Sequence, residues 1–121
     1  MFKKILSIFR TKPSDQSLAD LVNAIREQKV CLIDVRETRE WNEEHIAEAI
    51  SLPLSQIRTV NDIKQLTGIA TIAKPIVLHC VMGKRSAEAA VILNRLGVEA
   101  TSIDFGCQRL ENAGLTCVRG S

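Results

Sequence analysis

Cys80, Gly83, Arg85 and Ser86 fall within the stretch Cys80-Val81-Met82-Gly83-Lys84-Arg85-Ser86. A cysteine reacts as its thiolate, and a free thiol ionises near pH ~8.5, so a reactive cysteine needs surroundings that favour the anion. The apolar run Ile76-Val77-Leu78 leads into this stretch and Ala87-Glu88-Ala89-Ala90-Val91-Ile92-Leu93 leads out of it. A buried strand therefore passes through a short loop into a helix, with the thiol where the strand ends. The loop amides and the first helical turn present unpaired N–H groups, which attract negative charge. Lys84 and Arg85 add positive charge, and Gly83 lets the loop curl without the steric penalty of a Cβ. A thiolate acting on an anionic substrate is the chemistry these residues suit.

Two further residues stand at the end of another apolar run, Val30-Cys31-Leu32-Ile33-Asp34-Val35. Asp34 is expected to accept structural hydrogen bonds, and Arg36 to line the entrance or form a surface ion pair. Arg85 either faces the substrate or braces the loop by pairing with Asp34 or Glu37. His79 precedes the cysteine on its strand, so alternation sends it to the opposite face as a packed residue. Trp41 and His45 are read as packing and capping groups. Cys107 follows Asp104-Phe105-Gly106 and is a candidate second thiol at the same sheet edge, able to resolve a persulfide or pair reversibly with Cys80. A small apolar filler is its plainer role, and Cys31 and Cys117 are taken as packing residues.

The elements that hold these groups follow from periodicity. The spacing of Leu18, Leu21, Val22 and Ile25 predicts a helix over 18–28, with Ser17 as its N-cap. Strands are expected at 30–35, 49–53, 76–79 and 98–103. Helices are expected at 37–45, 55–66, 86–96 and 106–113. Alternating strands and helices define an α/β sandwich with a mostly parallel central sheet, whose ligand sites lie at the carboxyl ends of strands. Asp34, Cys80 and Asp104 all stand at such ends.

The whole composition agrees with one soluble domain: 121 residues, 45% hydrophobic and 25% charged. The boundaries expected are 1–16 for an amphipathic segment and linker, 17–118 for the domain and 119–121 for a tail. A formal charge of +2 and aromatics at 3% give no basis for nucleic-acid binding. The four cysteines lack the paired spacing of a zinc site, so no metal is expected, and their placement in apolar runs suits a reducing, cytoplasmic compartment. Residues 1–10 place apolar side chains on one helical face between basic ones, a pattern for a terminal helix or tail and, as the lesser expectation, for contact with a membrane surface. They lack the long apolar core and cleavage site of a signal peptide.

These residues together resemble the rhodanese family of sulfurtransferases over about residues 17–118. Three blocks carry the resemblance: Leu32-Ile33-Asp34-Val35-Arg36-Glu37 with Glu40-Trp41, His45-Ile46 and Leu52-Pro53-Leu54; the loop from Cys80 to Ser86; and Asp104-Phe105-Gly106 through Ala113-Gly114-Leu115. The resemblance implies a rhodanese-like three-layer sandwich. It implies that Cys80 takes a sulfane sulfur from thiosulfate or another persulfide donor and passes it to a thiol or other nucleophile, without a cofactor. The loop Val81, Met82, Gly83, Lys84, Arg85 and Ser86 would bind the substrate. The partners implied are a small sulfur donor or persulfide-bearing protein, and a thiol acceptor.

The chain departs from the family pattern where Glu44 and Glu48 replace glycines, and where Phe105-Gly106 and Leu110 replace a Gly-Gly pair and a tryptophan. Val81 stands where thiosulfate-using members frequently carry arginine, which removes an anion contact. A second reading is a non-enzymatic sulfur-relay or interaction module. A cysteine phosphatase or arsenate reductase is a weaker one, because its loop has five residues between cysteine and arginine and only four lie between Cys80 and Arg85.

Overall fold

A computed structural model of the chain describes residues 15–66, 68–69 and 71–120. The amphipathic segment at 1–10 lies outside the described residues. The elements in order are α1 (Asp15–Arg26), β1 (Cys31–Asp34), α2 (Thr38–Glu43), β2 (Glu44–Ile46), β3 (Ala49–Ser51), α3 (Leu54–Ile57), a 3₁₀ turn (Ile63–Gln65), β4 (Ile76–His79), α4 (Lys84–Arg95), β5 (Ala100–Ser102), α5 (Cys107–Asn112) and β6 (Cys117–Arg119).

Four strands form a parallel sheet in the order β3-β1-β4-β5. Every residue of β4 is buried, as a central parallel strand covered on both faces requires. Side-chain alternation divides the core into two layers. Leu32 and Val77 turn toward a cluster completed by Leu21, Val22, Phe105 and Leu110, from α1 and around α5. Ile33 and Leu78 turn the other way, toward Leu54, Ile57, Ala89 and Leu93 of α3 and α4. The result is the three-layer α/β sandwich expected from the alternation of elements. Full burial of side chains such as Leu21 and Leu93 contributes about 1.5–3 kcal/mol each.

Several boundaries differ from the sequence reading. The first helix begins at Asp15, so Ser17 lies inside it, and it ends two residues before the expected Gln28. The expected helix over 55–66 is two short pieces. Asp62 adopts extended backbone and restarts the chain as a cap, accepting from the Lys64 amide while Gln65 accepts from the amides of Asn61 and Asp62. The regular spacing of Ile57, Val60, Ile63 and Leu66 is thus met by two turns packed on one surface. A small antiparallel pair, β2 with β6, was absent from the sequence reading. It ties the chain after α5 back to the region following α2.

Candidate active site

Cys80 is the first residue beyond β4, and its thiol lies inside the curve of the loop, 2% exposed. Gly83 takes left-handed backbone at φ 91°, which turns its amide inward. The Gly83 N–H donates to Cys80 Sγ at 3.1 Å and the Ser86 N–H donates at 3.4 Å. Both amides are free to do so because the first turn of a helix has no internal acceptors for them. Burial alone raises the Cys80 pKa, but contacts with the Ser86 hydroxyl and with the amides of Ser86, Gly83 and Arg85 outweigh it, and the thiol ionises below its ordinary range. The loop therefore favours the ionised form of the thiol.

The loop is fixed from behind. Ser86 is fully buried, and its hydroxyl lies 2.7 Å from the Ser102 hydroxyl of β5, donates to Gly83 O at 3.1 Å and sits 3.6 Å from Cys80 Sγ. A Cβ at Gly83 would overlap Asp104 Oδ1. At Gly106, a Cβ would come within 3.1 Å of Val81 O. The chain after β5 thus closes on the loop so tightly that two of its contact points are glycines. Ser102 carried no signal in the sequence, since only the fold brings it to Ser86.

Arg85 braces the loop, but its partner is neither Asp34 nor Glu37. Its guanidinium forks onto Glu40 of α2 at 2.6 and 3.0 Å. Glu40 also accepts from the Glu37 amide as part of a capping box, so one carboxylate joins the starts of α2 and α4. The Arg85 hydrogen bond, opposed by partial burial, holds the Glu40 carboxyl well below its usual range, at about 2.

Asp34 and Arg36 form a buried pair and not the surface one expected. Asp34 is 0% and Arg36 5% exposed, and the guanidinium contacts both carboxylate oxygens through Nε and Nη2 at 2.8–3.1 Å. Nη2 also donates to Glu44 O at 2.7 Å. His79, opposite Asp34 in the strand register, is fully buried, with Nε2 3.8 Å from Asp34 Oδ2. Burial pushes its pKa down, against the pull of Asp34, so the ring is neutral. Trp41 and His45 stack with ring centroids 3.8 Å apart.

Of the loop residues, Val81, Met82 and Lys84 face outward, with Val81 52% and Met82 79% exposed. Cys107 is buried at the start of α5 and belongs to the core layer opposite that of Cys80. Burial pushes its thiol up to about 11, so it is un-ionised at neutral pH. All four cysteines are free thiols. Among the described residues no group of three His, Cys, Asp or Glu is arranged to hold a metal ion, and no helix is long and apolar enough to cross a membrane.

A parallel α/β sandwich with a cysteine loop wrapped around a helix start defines a class of cysteine-loop α/β domains. The family profile of the rhodanese-like domain matches residues 17–113, and the chain belongs to that family. It is 36% identical over 95 residues to the uncharacterized protein slr1261 of Synechocystis, covering 78% of this chain and 50% of that protein. It is 39% identical over 70 residues to the uncharacterized protein YqhL of Bacillus subtilis, covering 58% of this chain and 51% of that protein. The chain thus spans about half the length of these curated relatives. Among solved structures, a rhodanese-related protein of Thermoplasma volcanium superposes with a TM-score of 0.65 at 29% identity, covering 84% of this chain and 93% of that one. A rhodanese with anions from E. coli shares the fold at a TM-score of 0.56 and 24% identity, covering 75% and 99% of the two chains.

Proposed function

We propose that this protein is a sulfurtransferase that carries a sulfane sulfur on Cys80. The observation that carries the reading is the pair of backbone N–H groups, from Gly83 and Ser86, directed at Cys80 Sγ. In the first half-reaction the Cys80 thiolate attacks the outer sulfur of a donor R–S–S⁻. The Sγ–S bond forms, the donor S–S bond breaks, and R–S⁻ leaves with the electron pair. From thiosulfate the leaving group is sulfite.

In the second half-reaction an acceptor thiolate attacks the outer sulfur of the Cys80 persulfide. The acceptor leaves as a persulfide and Cys80 is restored as a thiolate, so no external oxidant or reductant is consumed. Inward amides stabilise the anionic sulfur at the beginning and end of each cycle, by the same logic as an oxyanion hole. Phosphate chemistry is disfavoured because the arginine it would require is already held by Glu40. The test is to incubate the protein with thiosulfate or a persulfide, with cyanide or a dithiol as acceptor, beside a Cys80→Ser variant. Transfer that depends on Cys80 supports the reading; phosphate-ester hydrolysis that depends on Cys80, without sulfur transfer, overturns it.

A further inference from the structure

The Ser86 hydroxyl has a single hydrogen, yet several groups stand where they could take it. Ser102 Oγ lies 2.7 Å from Ser86 Oγ, Gly83 O 3.1 Å, Ile103 O 3.4 Å and Cys80 Sγ 3.6 Å. The ionisation state of Cys80 decides how the hydrogen is used. While Cys80 is a thiol, its S–H donates to Ser86 Oγ and the Ser86 hydrogen is available to Gly83 O. Once the thiol proton has passed to solvent, the sulfur can only accept, so the Ser86 hydrogen turns from Gly83 O to meet it. In that state the 2.7 Å contact between the two hydroxyls is a hydrogen bond only if Ser102 donates.

Ser102 is placed for that task. It ends β5, half-buried and in register with Leu78, two residues before Cys80. Its hydroxyl makes no other hydrogen bond among the described residues. A bond donated to Ser86 Oγ polarises the Ser86 O–H and makes it a better donor to an anion, since hydrogen bonds in a chain strengthen one another. We infer that Ser102 is a positioning residue: by donating to Ser86 it directs the Ser86 hydrogen onto the Cys80 thiolate. The relay deepens the sulfur-transfer reading and rests on it at one step. When the persulfide forms, negative charge moves to the outer sulfur, and the Ser86 hydrogen returns to Gly83 O.

Alkylation against pH, read at the Cys80 peptide of the full chain, tests the relay without any sulfur donor. Ser102→Thr and Ser102→Val are nearly equal in volume and differ in the hydroxyl; Ser102→Ala serves as a second hydroxyl-free variant in case the larger side chain misfolds. Ser102→Thr is expected to keep the wild-type midpoint. Ser102→Val and Ser102→Ala should shift it up, slowing alkylation several-fold below the wild-type midpoint, with the deficit closing at pH above both midpoints. In a Ser86→Ala background the Ser102 variants should be indistinguishable, because the coupling runs through the missing hydroxyl. Urea denaturation reads the fold separately. Lost stability with an unmoved Cys80 midpoint makes Ser102 merely structural and overturns the inference, as does an equal upward shift in the Ser86→Ala background. Sulfur loading of Cys80 from thiosulfate is followed in parallel by mass spectrometry. The expected alkylation pattern with no loading from any donor leaves the relay standing and overturns its place in sulfur transfer.

Discussion

The amide nitrogen of Gly83 lies 3.1 Å from the sulfur of Cys80, and it points there because Gly83 holds a left-handed conformation at φ 91°. The ionisation of the thiol therefore depends on a backbone angle three residues away. Gly83→Ala tests this dependence. Left-handed backbone costs a residue with a Cβ about 1–2 kcal/mol, and overlap with Asp104 adds to that. The variant is expected to be less stable in urea and to show a Cys80 pKa shifted up. Alkylation rate against pH reads the second effect: the wild-type midpoint should lie below that of a free thiol and the variant's above the wild type's.

Ser86 makes a related prediction. Its buried hydroxyl satisfies Gly83 O and meets the Ser102 hydroxyl, so Ser86→Ala leaves polar groups unpaired at a cost of about 1–3 kcal/mol. The Cys80 pKa should also rise, because the hydroxyl is one of the contacts that lower it. Chemical denaturation and the pH profile of alkylation measure the two effects separately.

The Glu40 bridge predicts a pH dependence of stability. Its carboxyl ionises at about 2 when folded, against 4.5 in the absence of the fold. A depressed folded value means that the stabilisation is complete above about pH 4.5 and is lost as pH falls toward 2. The bridge is partly exposed, so its contribution is about 1 kcal/mol. Glu40→Gln should be less stable than wild type by about that amount at neutral pH, and the two denaturation midpoints should converge on acidification.

Much of the site was legible in the sequence because it is local. The spacing from Cys80 to Gly83 and Ser86 places two helix-start amides beside the thiol whatever the rest of the fold does. The parallel sheet was equally readable, since Val30–Val35 and Ile76–His79 are apolar without alternation. What escaped depends on partners distant in the chain. Arg85 reaches Glu40 across 45 positions, whereas the charge pattern pointed to Asp34 or Glu37. Arg36 became a buried residue because β2 supplies a carbonyl at Glu44, and β2 itself exists by pairing with β6 over three residues a side, too short to leave a periodic signal. The expected helix over 55–66 failed at Asp62, whose capping preference overrode a regular apolar spacing.

Cys107 yields a prediction about the second thiol. It is buried among Leu110, Phe105 and Ile103, and its pKa of about 11 leaves it a weak nucleophile at neutral pH. Mild oxidation is therefore expected to give a sulfenic acid or mixed disulfide at Cys80 before any bond to Cys107. Peptide mapping after hydrogen peroxide treatment checks this, and a prompt Cys80 to Cys107 disulfide would contradict it.

Whether Cys80 carries sulfur is read by peptide mass spectrometry after exposure to thiosulfate or a low-molecular-weight persulfide. The peptide containing Cys80 is expected to gain the mass of one sulfur atom and to lose it on addition of cyanide or a dithiol. A Cys80 peptide left unmodified by every donor, in a protein whose thiol alkylates normally, would contradict it.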